Sequence, residues 1–138
     1  MIAYVDSSVL LRVALKQKNY LKEFANITLG GSSRLIKAEC LRTLDRLVST
    51  GQLNQAEFEF TVEFIHNAVD HLEIIGITEP ILDRVGQPTG LNLGTLDAIH
   101  LYSAALWRLE KSSSPVFLTH DLALGKSAKL FGFEVLGM

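Results

Sequence analysis

The residues Ile2-Ala3-Tyr4-Val5 form an apolar run that stops at Asp6, the pattern of a buried strand. Ser7 or Ser8 is then placed to cap a helix through Val9-Leu10-Leu11-Arg12-Val13-Ala14-Leu15. A short helical stretch near 19–25 leads to a second strand, Ile27-Thr28-Leu29, closed by Gly30-Gly31. Ser32 or Ser33 opens a long helix to about Thr50, with Gly51 as its stop. Asn54 followed by Glu57 predicts a capping box and a helix reaching about Val69. Leu72 to Ile77 reads as a strand, and Thr78 caps a short helix that carries Pro80 in its first turn. Beyond a loop at Gln87-Pro88-Thr89-Gly90, a helix spans Leu93 to Glu110 and a strand Val116 to Thr119. A helix from Leu122 to Phe131, ended by Gly132, and a strand from Phe133 to Leu136 complete the pattern.

Strands that alternate with helices imply an α/β fold, a parallel sheet with helices on both faces. Ligands in such sheets gather at the carboxyl ends of the strands. Asp6 stands at the end of the first strand and Asp121 just after the fourth.

The chain has 138 residues, 48% hydrophobic and 20% charged, which suits one domain over 1–138 and excludes a disordered segment. A single cysteine, Cys40, excludes a disulfide framework and a cysteine-rich zinc site and fits the reducing cytoplasm. No basic leader precedes an apolar stretch, and no apolar run is long enough to span a membrane. The net charge of −2 excludes a polycation that grips nucleic acid by bulk attraction. Its distribution says more: residues 1–50 hold eight basic residues against four acids, and residues 51–92 hold seven acids against Arg84 alone. The basic third, including Arg12, Lys16 and Arg42, is a candidate guide for a polyanion; solvated helix faces of differing sign explain the asymmetry equally well.

Each acid has an ordinary explanation when taken alone. Asp6 and Asp121 are placed to cap the helices that follow them. Glu39 lies on the flank of its helix, within i, i+3 reach of Arg42, a pairing worth a few tenths of a kcal/mol. Asp97 is harder to explain away. It opens a helix with apolar residues at ten of the fourteen positions from Leu96 to Leu109, the mark of a buried helix. A carboxylate facing protein is costly without a cation or donors, so capping is the weaker account. The topology can bring Asp6, Glu39, Asp97 and Asp121 to one rim. With no His/Cys ligand set beside them, such a pocket selects a hard ion, Mg²⁺ or Mn²⁺, suited to phosphodiester chemistry.

Tyr4-Val5-Asp6-Ser7-Ser8-Val9-Leu10, Ala38-Glu39 with Arg42, Leu96-Asp97-Ala98-Ile99-His100-Leu101, and Leu118-Thr119-His120-Asp121 followed by Gly132-Phe133-Glu134-Val135-Leu136 together resemble the PIN-domain ribonucleases. The pattern is similar to the VapC-type toxins of toxin–antitoxin pairs, and it runs the length of the chain. The resemblance implies a three-layer α/β/α fold with a five-stranded parallel sheet in strand order 3-2-1-4-5. It implies a metal-dependent endoribonuclease that uses Mg²⁺ or Mn²⁺, with Asp6, Glu39, Asp97 and Asp121 as catalytic and metal-binding residues. Ser7, Thr119 and Arg42 would support the site. RNA is the implied substrate, a small antitoxin protein the implied partner, and a homodimer the implied assembly. Many relatives carry a further acid shortly after the fourth, whereas Leu122-Ala123-Leu124 follow Asp121 here, which leaves the number of metal ions open.

Other readings fail on local context. His120-Asp121 matches the dipeptide of the HD phosphohydrolases, but it closes a strand instead of lying in an all-helical fold. Asp6 has no acidic neighbour of the kind a receiver domain needs, and no Gly-x-x-x-x-Gly-Lys loop is present. His100, one turn after Asp97, is within reach of a metal or phosphate there, with helix packing the stronger account; Tyr102 and Trp107 read as core or dimer-interface residues and not as base-stacking platforms. The competing class is a PIN-like RNA-binding or scaffold protein without catalysis, against which all four acids stand.

Overall fold

The computed structural model describes Met1–Met138, and its elements follow the hydrophobic pattern closely. Strands β1 (Ile2–Val5), β2 (Leu29–Ser33), β3 (Leu72–Ile75), β4 (Val116–Leu118) and β5 (Val135–Leu136) form one sheet in the order β3-β2-β1-β4-β5. Every pairing is parallel. The helices are α1 (Ser7–Ala14), α2 (Leu35–Ser49), α3 (Gln55–Asp70), α4 (Glu79–Val85), α5 (Thr95–Lys111) and α6 (Leu122–Leu130), with a 3₁₀ stretch at Lys22–Asn26. This is the PIN-like α/β arrangement that the resemblance implied. None of the helices is long and apolar enough to cross a membrane.

Strand alternation divides the core in two. Ala3 and Val5 face a cluster with Val9, Leu10, Ile36, Leu44 and Ile65, which α1, α2 and α3 cover. Tyr4 points the other way, to Phe117, Leu101, Ala104, Trp107 and Leu124 under α5 and α6. β1 lies at the centre, with β2 on one side and β4 on the other, so the direction of winding reverses beside it. In open α/β sheets that reversal opens a crevice at the strand carboxyl ends.

The second strand departs from its expected bounds. Gly30 and Gly31 do not close it; they lie within it, paired with Ala3 and Tyr4 of β1. A Cβ on Gly31 would sit 2.6 Å from the Trp107 ring, and one on Gly30 would sit 2.5 Å from Leu72 Cδ2. Gly31 makes a notch in the sheet for an indole, and Gly30, facing the other way, leaves room for Leu72. As a turn signal Gly30-Gly31 predicts the end of the strand; the fold uses them for close approach of a neighbour, the other role of glycine in a strand. The later strands are one or more residues shorter than expected, and α5 starts at Thr95, after the N-cap Gly94.

Two caps also differ. Arg34, not a serine, occupies the N-cap of α2, while the Ser33 hydroxyl accepts the Leu35 N–H at 3.2 Å. α1 takes Asp6 at its N-cap, not Ser7 or Ser8. The Asn54–Glu57 capping box of α3 is present in both directions.

At the edge of the sheet, Glu73 accepts from Lys111 Nζ at 2.7 Å and from Trp107 Nε1 at 2.8 Å. The hydrogen bond from Lys111, then that from Trp107, holds this carboxyl below its ordinary value of 4.5. A depressed carboxylate contributes stability at higher pH and loses it as pH falls through the folded value. Glu73→Gln should therefore flatten the acid limb of stability below about pH 4.5, as read by urea unfolding across that range. An unchanged acid limb would refute the link.

Candidate active site

The end of β1 turns directly into α1 at Asp6, which is 4% exposed. Its side chain makes no capping hydrogen bond to the helix. Asp6 Oδ2 instead accepts from Ser8 Oγ at 2.5 Å and from Thr119 Oγ1 at 2.9 Å. Each hydroxyl is oriented by a backbone donor. Ser8 Oγ accepts the His120 N–H at 3.0 Å, and Thr119 Oγ1 accepts the Asp121 N–H at 3.0 Å. With an N–H already donated to each oxygen, each hydroxyl proton is free to point at Asp6. Two hydroxyl donors thus offset the cost of burying this charge.

Asp121 caps α6 as expected, its Oδ1 accepting the Leu124 N–H at 2.7 Å. Thr119 and Asp121 therefore reach the rim from β4 and Asp6 from β1, neighbours in the sheet.

Glu39 comes from the middle of α2, its side chain 20% exposed. It does not pair with Arg42. That guanidinium binds Asp45 at 2.8 Å on an exposed face, a contact worth little. Glu39 Oε1 lies 2.5 Å from His100 Nε2. His100 is fully buried on α5, one turn after Asp97; its Nδ1 is 2.9 Å from Tyr4 Oη and its Nε2 is 3.8 Å from Asp6 Oδ1. Burial disfavours a second proton on His100. The Glu39 hydrogen bond, then the charges of Asp6, Glu39 and Asp97, outweigh it and hold the imidazole above its ordinary 6.5.

Asp97 lies in the first turn of α5, and the N-cap of that helix carries no side-chain cap. Its carboxyl is pushed above the ordinary 3.8, first by burial, then by Asp121 and Asp6, with Glu39 adding to the effect and His100 opposing it. Four acids from four parts of the chain thus share one electrostatic neighbourhood, and Asp97 carries the excess. Cys40, the neighbour of Glu39, is pushed well up by burial and then by Glu39 and Asp6, so it is an inert thiol.

The hard-oxygen donor set suits a divalent ion such as Mg²⁺, and an acid raised by its neighbours is one a cation would relieve. No three His, Cys, Asp or Glu side chains converge into a ready-made cage. The hydrogen bonds give a reason: Asp6, Glu39 and Asp121 each have one oxygen committed to a protein donor.

The other expected residues divide. Ser7 makes no side-chain hydrogen bond, and Ser8 is the hydroxyl that reaches Asp6. Arg12 falls in the last turn of α1. Lys16 lies two residues beyond that helix, which is itself on the order of 12 Å long, with Nζ 5.0 Å from the centroid of the Phe60 ring. Tyr4 and Ser8 take places at the site that the sequence alone does not assign, and His100, one turn from Asp97, has Glu39 as its partner. His100 had a signal, since i, i+3 spacing puts it on the face of Asp97.

No family model matches the chain. It is 26% identical over 137 residues to Ribonuclease VapC47 of Mycobacterium tuberculosis (strain CDC 1551 / Oshkosh), a match covering 94% of this chain and 92% of that one. Its fold is similar to that in the crystal structure of PAE2754 from Pyrobaculum aerophilum, with a TM-score of 0.67 and 18% identity over 97% of this chain and 83% of that one. The sheet order, the acid rim and the similarity along nearly the whole sequence agree: the chain resembles a VapC-type PIN-domain ribonuclease.

Proposed function

We propose that the protein is a metal-dependent endoribonuclease, the toxin of a toxin–antitoxin pair, with its site at the rim. The observation that carries this reading is the rim at the strand ends, where the buried Asp6 carboxylate, held by Ser8 and Thr119, lies beside the Glu39–His100 pair and within electrostatic reach of Asp97, which Asp121 also reaches. A relative named as a ribonuclease supports the same chemistry.

Asp6, Glu39, Asp97 and Asp121 would hold Mg²⁺ or Mn²⁺. Bound there, the ion would supply an activated water and offset charge on the phosphate. Ser8 and Thr119 hold one oxygen of Asp6, and Leu124 N–H holds one oxygen of Asp121, so both side chains keep their direction with the other oxygen left to a ligand. A small antitoxin protein is the proposed partner. A second copy of the chain is the proposed assembly, for which Leu82 and Leu109, exposed on α4 and α5, offer apolar surface.

Purified protein should cut RNA with Mn²⁺ or Mg²⁺, stop in excess EDTA, and lose cutting in Asp6→Ala. Cleavage undiminished by EDTA would remove the metal. RNA that is bound and never cut would favour the scaffold reading instead, for which the lack of a preformed cage is the supporting observation. If Arg12 and Lys16 hold the RNA backbone, changing both to Gln should weaken binding and reduce the salt slope by about 0.7 per lost phosphate contact. An unchanged slope would place the RNA elsewhere.

A further inference from the structure

Asp6 has two hydroxyl donors and Asp121 has a helix N–H, but Glu39 has a single polar partner, His100. Glu39 projects from the flank of α2, and a glutamate side chain loses more rotamer freedom on being fixed than an aspartate does. Its direction depends on what holds His100.

Tyr4 holds it. The Tyr4 hydroxyl is fully buried and, as a phenol, carries its proton at neutral pH. Tyr4 Oη accepts the Ser33 N–H at 2.9 Å and lies 2.9 Å from His100 Nδ1; the Ser32 hydroxyl, which donates to the Val5 carbonyl at 2.7 Å, is also beside it. The Glu39 carboxylate oxygen can only accept, so the ring hydrogen of a neutral imidazole sits on Nε2, and Nδ1 is left to accept the Tyr4 hydroxyl. A doubly protonated imidazole also carries hydrogen on Nε2. In either state the hydrogen facing Glu39 Oε1 is present.

We propose that Tyr4 and His100 are positioning residues for Glu39: a relay from Ser33 N–H through Tyr4 Oη and the His100 ring fixes Glu39 Oε1 and leaves Oε2 for the rim. The relay ties β2, β1, α5 and α2 together at the strand ends, so Glu39 is set by the sheet and not by its own helix. Partners behind a metal-binding side chain commonly change affinity by 10- to 100-fold. This inference rests on the metal reading above for one of its readouts and is independent of it for the other.

The first readout is Mn²⁺ binding to the full-length protein, by calorimetry or by loss of free-ion electron spin resonance. His100→Leu should bind Mn²⁺ at least about tenfold more weakly. His100→Gln, whose amide can still donate to Glu39, should recover much of the loss. Tyr4→Phe, which removes one oxygen and keeps the ring stacked on Phe117 with centroids 5.0 Å apart, should fall between. The second readout is the NMR signal of the Glu39 side-chain carboxyl carbon in metal-free protein, with the His100 ring nitrogens observed beside it. In the parent, His100 should show hydrogen on Nε2, and the Glu39 carbon should shift in His100→Leu and return toward the parent in His100→Gln. Folded His100→Leu that binds Mn²⁺ like the parent overturns the proposal, as does a Glu39 signal indifferent to all three variants. If the parent itself binds no Mn²⁺, the metal reading fails and the Glu39 signal alone decides.

Discussion

Asp97→Asn is expected to melt a few degrees above the parent in metal-free buffer, to gain less from Mn²⁺, and to lose RNA cleavage by roughly 100-fold or more. The substitution removes one charge with almost no change of shape. The Asp97 carboxyl is raised by burial and by Asp121, Asp6 and Glu39. A carboxyl raised in the folded state opposes folding once it ionises, and the penalty fades as pH falls through the folded value toward the unfolded one. Metal-free parent protein should therefore gain stability on mild acidification, until groups such as Glu73, which favour the charged state, begin to protonate. An ion that binds only the folded protein adds about 2.7 kcal/mol at 100 times its Kd, and Asn should take much of that away. Melting curves in EDTA and in Mn²⁺ settle it. A variant that gains from Mn²⁺ as much as the parent would remove Asp97 from the metal site.

Trp107→Ala is expected to cost about 3–5 kcal/mol, and Gly31→Ala about 1–3 kcal/mol, yet the two should not add. Trp107 is 1% exposed and fills the notch over Gly31, where a Cβ would come within 2.8 Å of three of its ring atoms. With the indole gone, a methyl at position 31 has space. The Gly31→Ala penalty should then shrink strongly in the Trp107→Ala background, the coupling a double-mutant cycle detects. Urea unfolding of all four proteins measures it. Additive costs would show that Gly31 serves its strand and not the indole.

The elements were legible because strand and helix periods are strong where one face is buried. Sequence order also brought the acids into view, since Asp6 and Asp121 follow strands. What sequence could not supply was cross-chain partnership. Glu39 looked as though it belonged to Arg42 because i, i+3 neighbours are readable along a helix, whereas its partner is 61 residues away. Gly30-Gly31 read as punctuation because nothing local announces Leu72 against Gly30 or the indole of Trp107 against Gly31. Ser7 and Ser8 were equivalent on paper, and only the fold turns Ser8 toward Asp6. His100 read as a packing residue, and it is buried as one; the carboxylates around it come from other elements.

The central place of β1 has a consequence for how the protein is born. The hydroxyl that helps neutralise Asp6 lies 113 residues downstream, and the imidazole that meets Tyr4 lies 96 residues downstream. At about 5–20 residues per second of synthesis, the first strand waits on the order of 6–20 s for its β4 neighbour. Until then it has β2 on one side and nothing on the other. Contacts of such long range are slow to form, so the rim belongs to the last stage of folding. A nascent chain halted before β4 carries Asp6, Glu39 and Asp97 but has no Thr119 or Asp121 to close the rim, so any activity housed there begins only after β4 and the turn to Asp121 have been made.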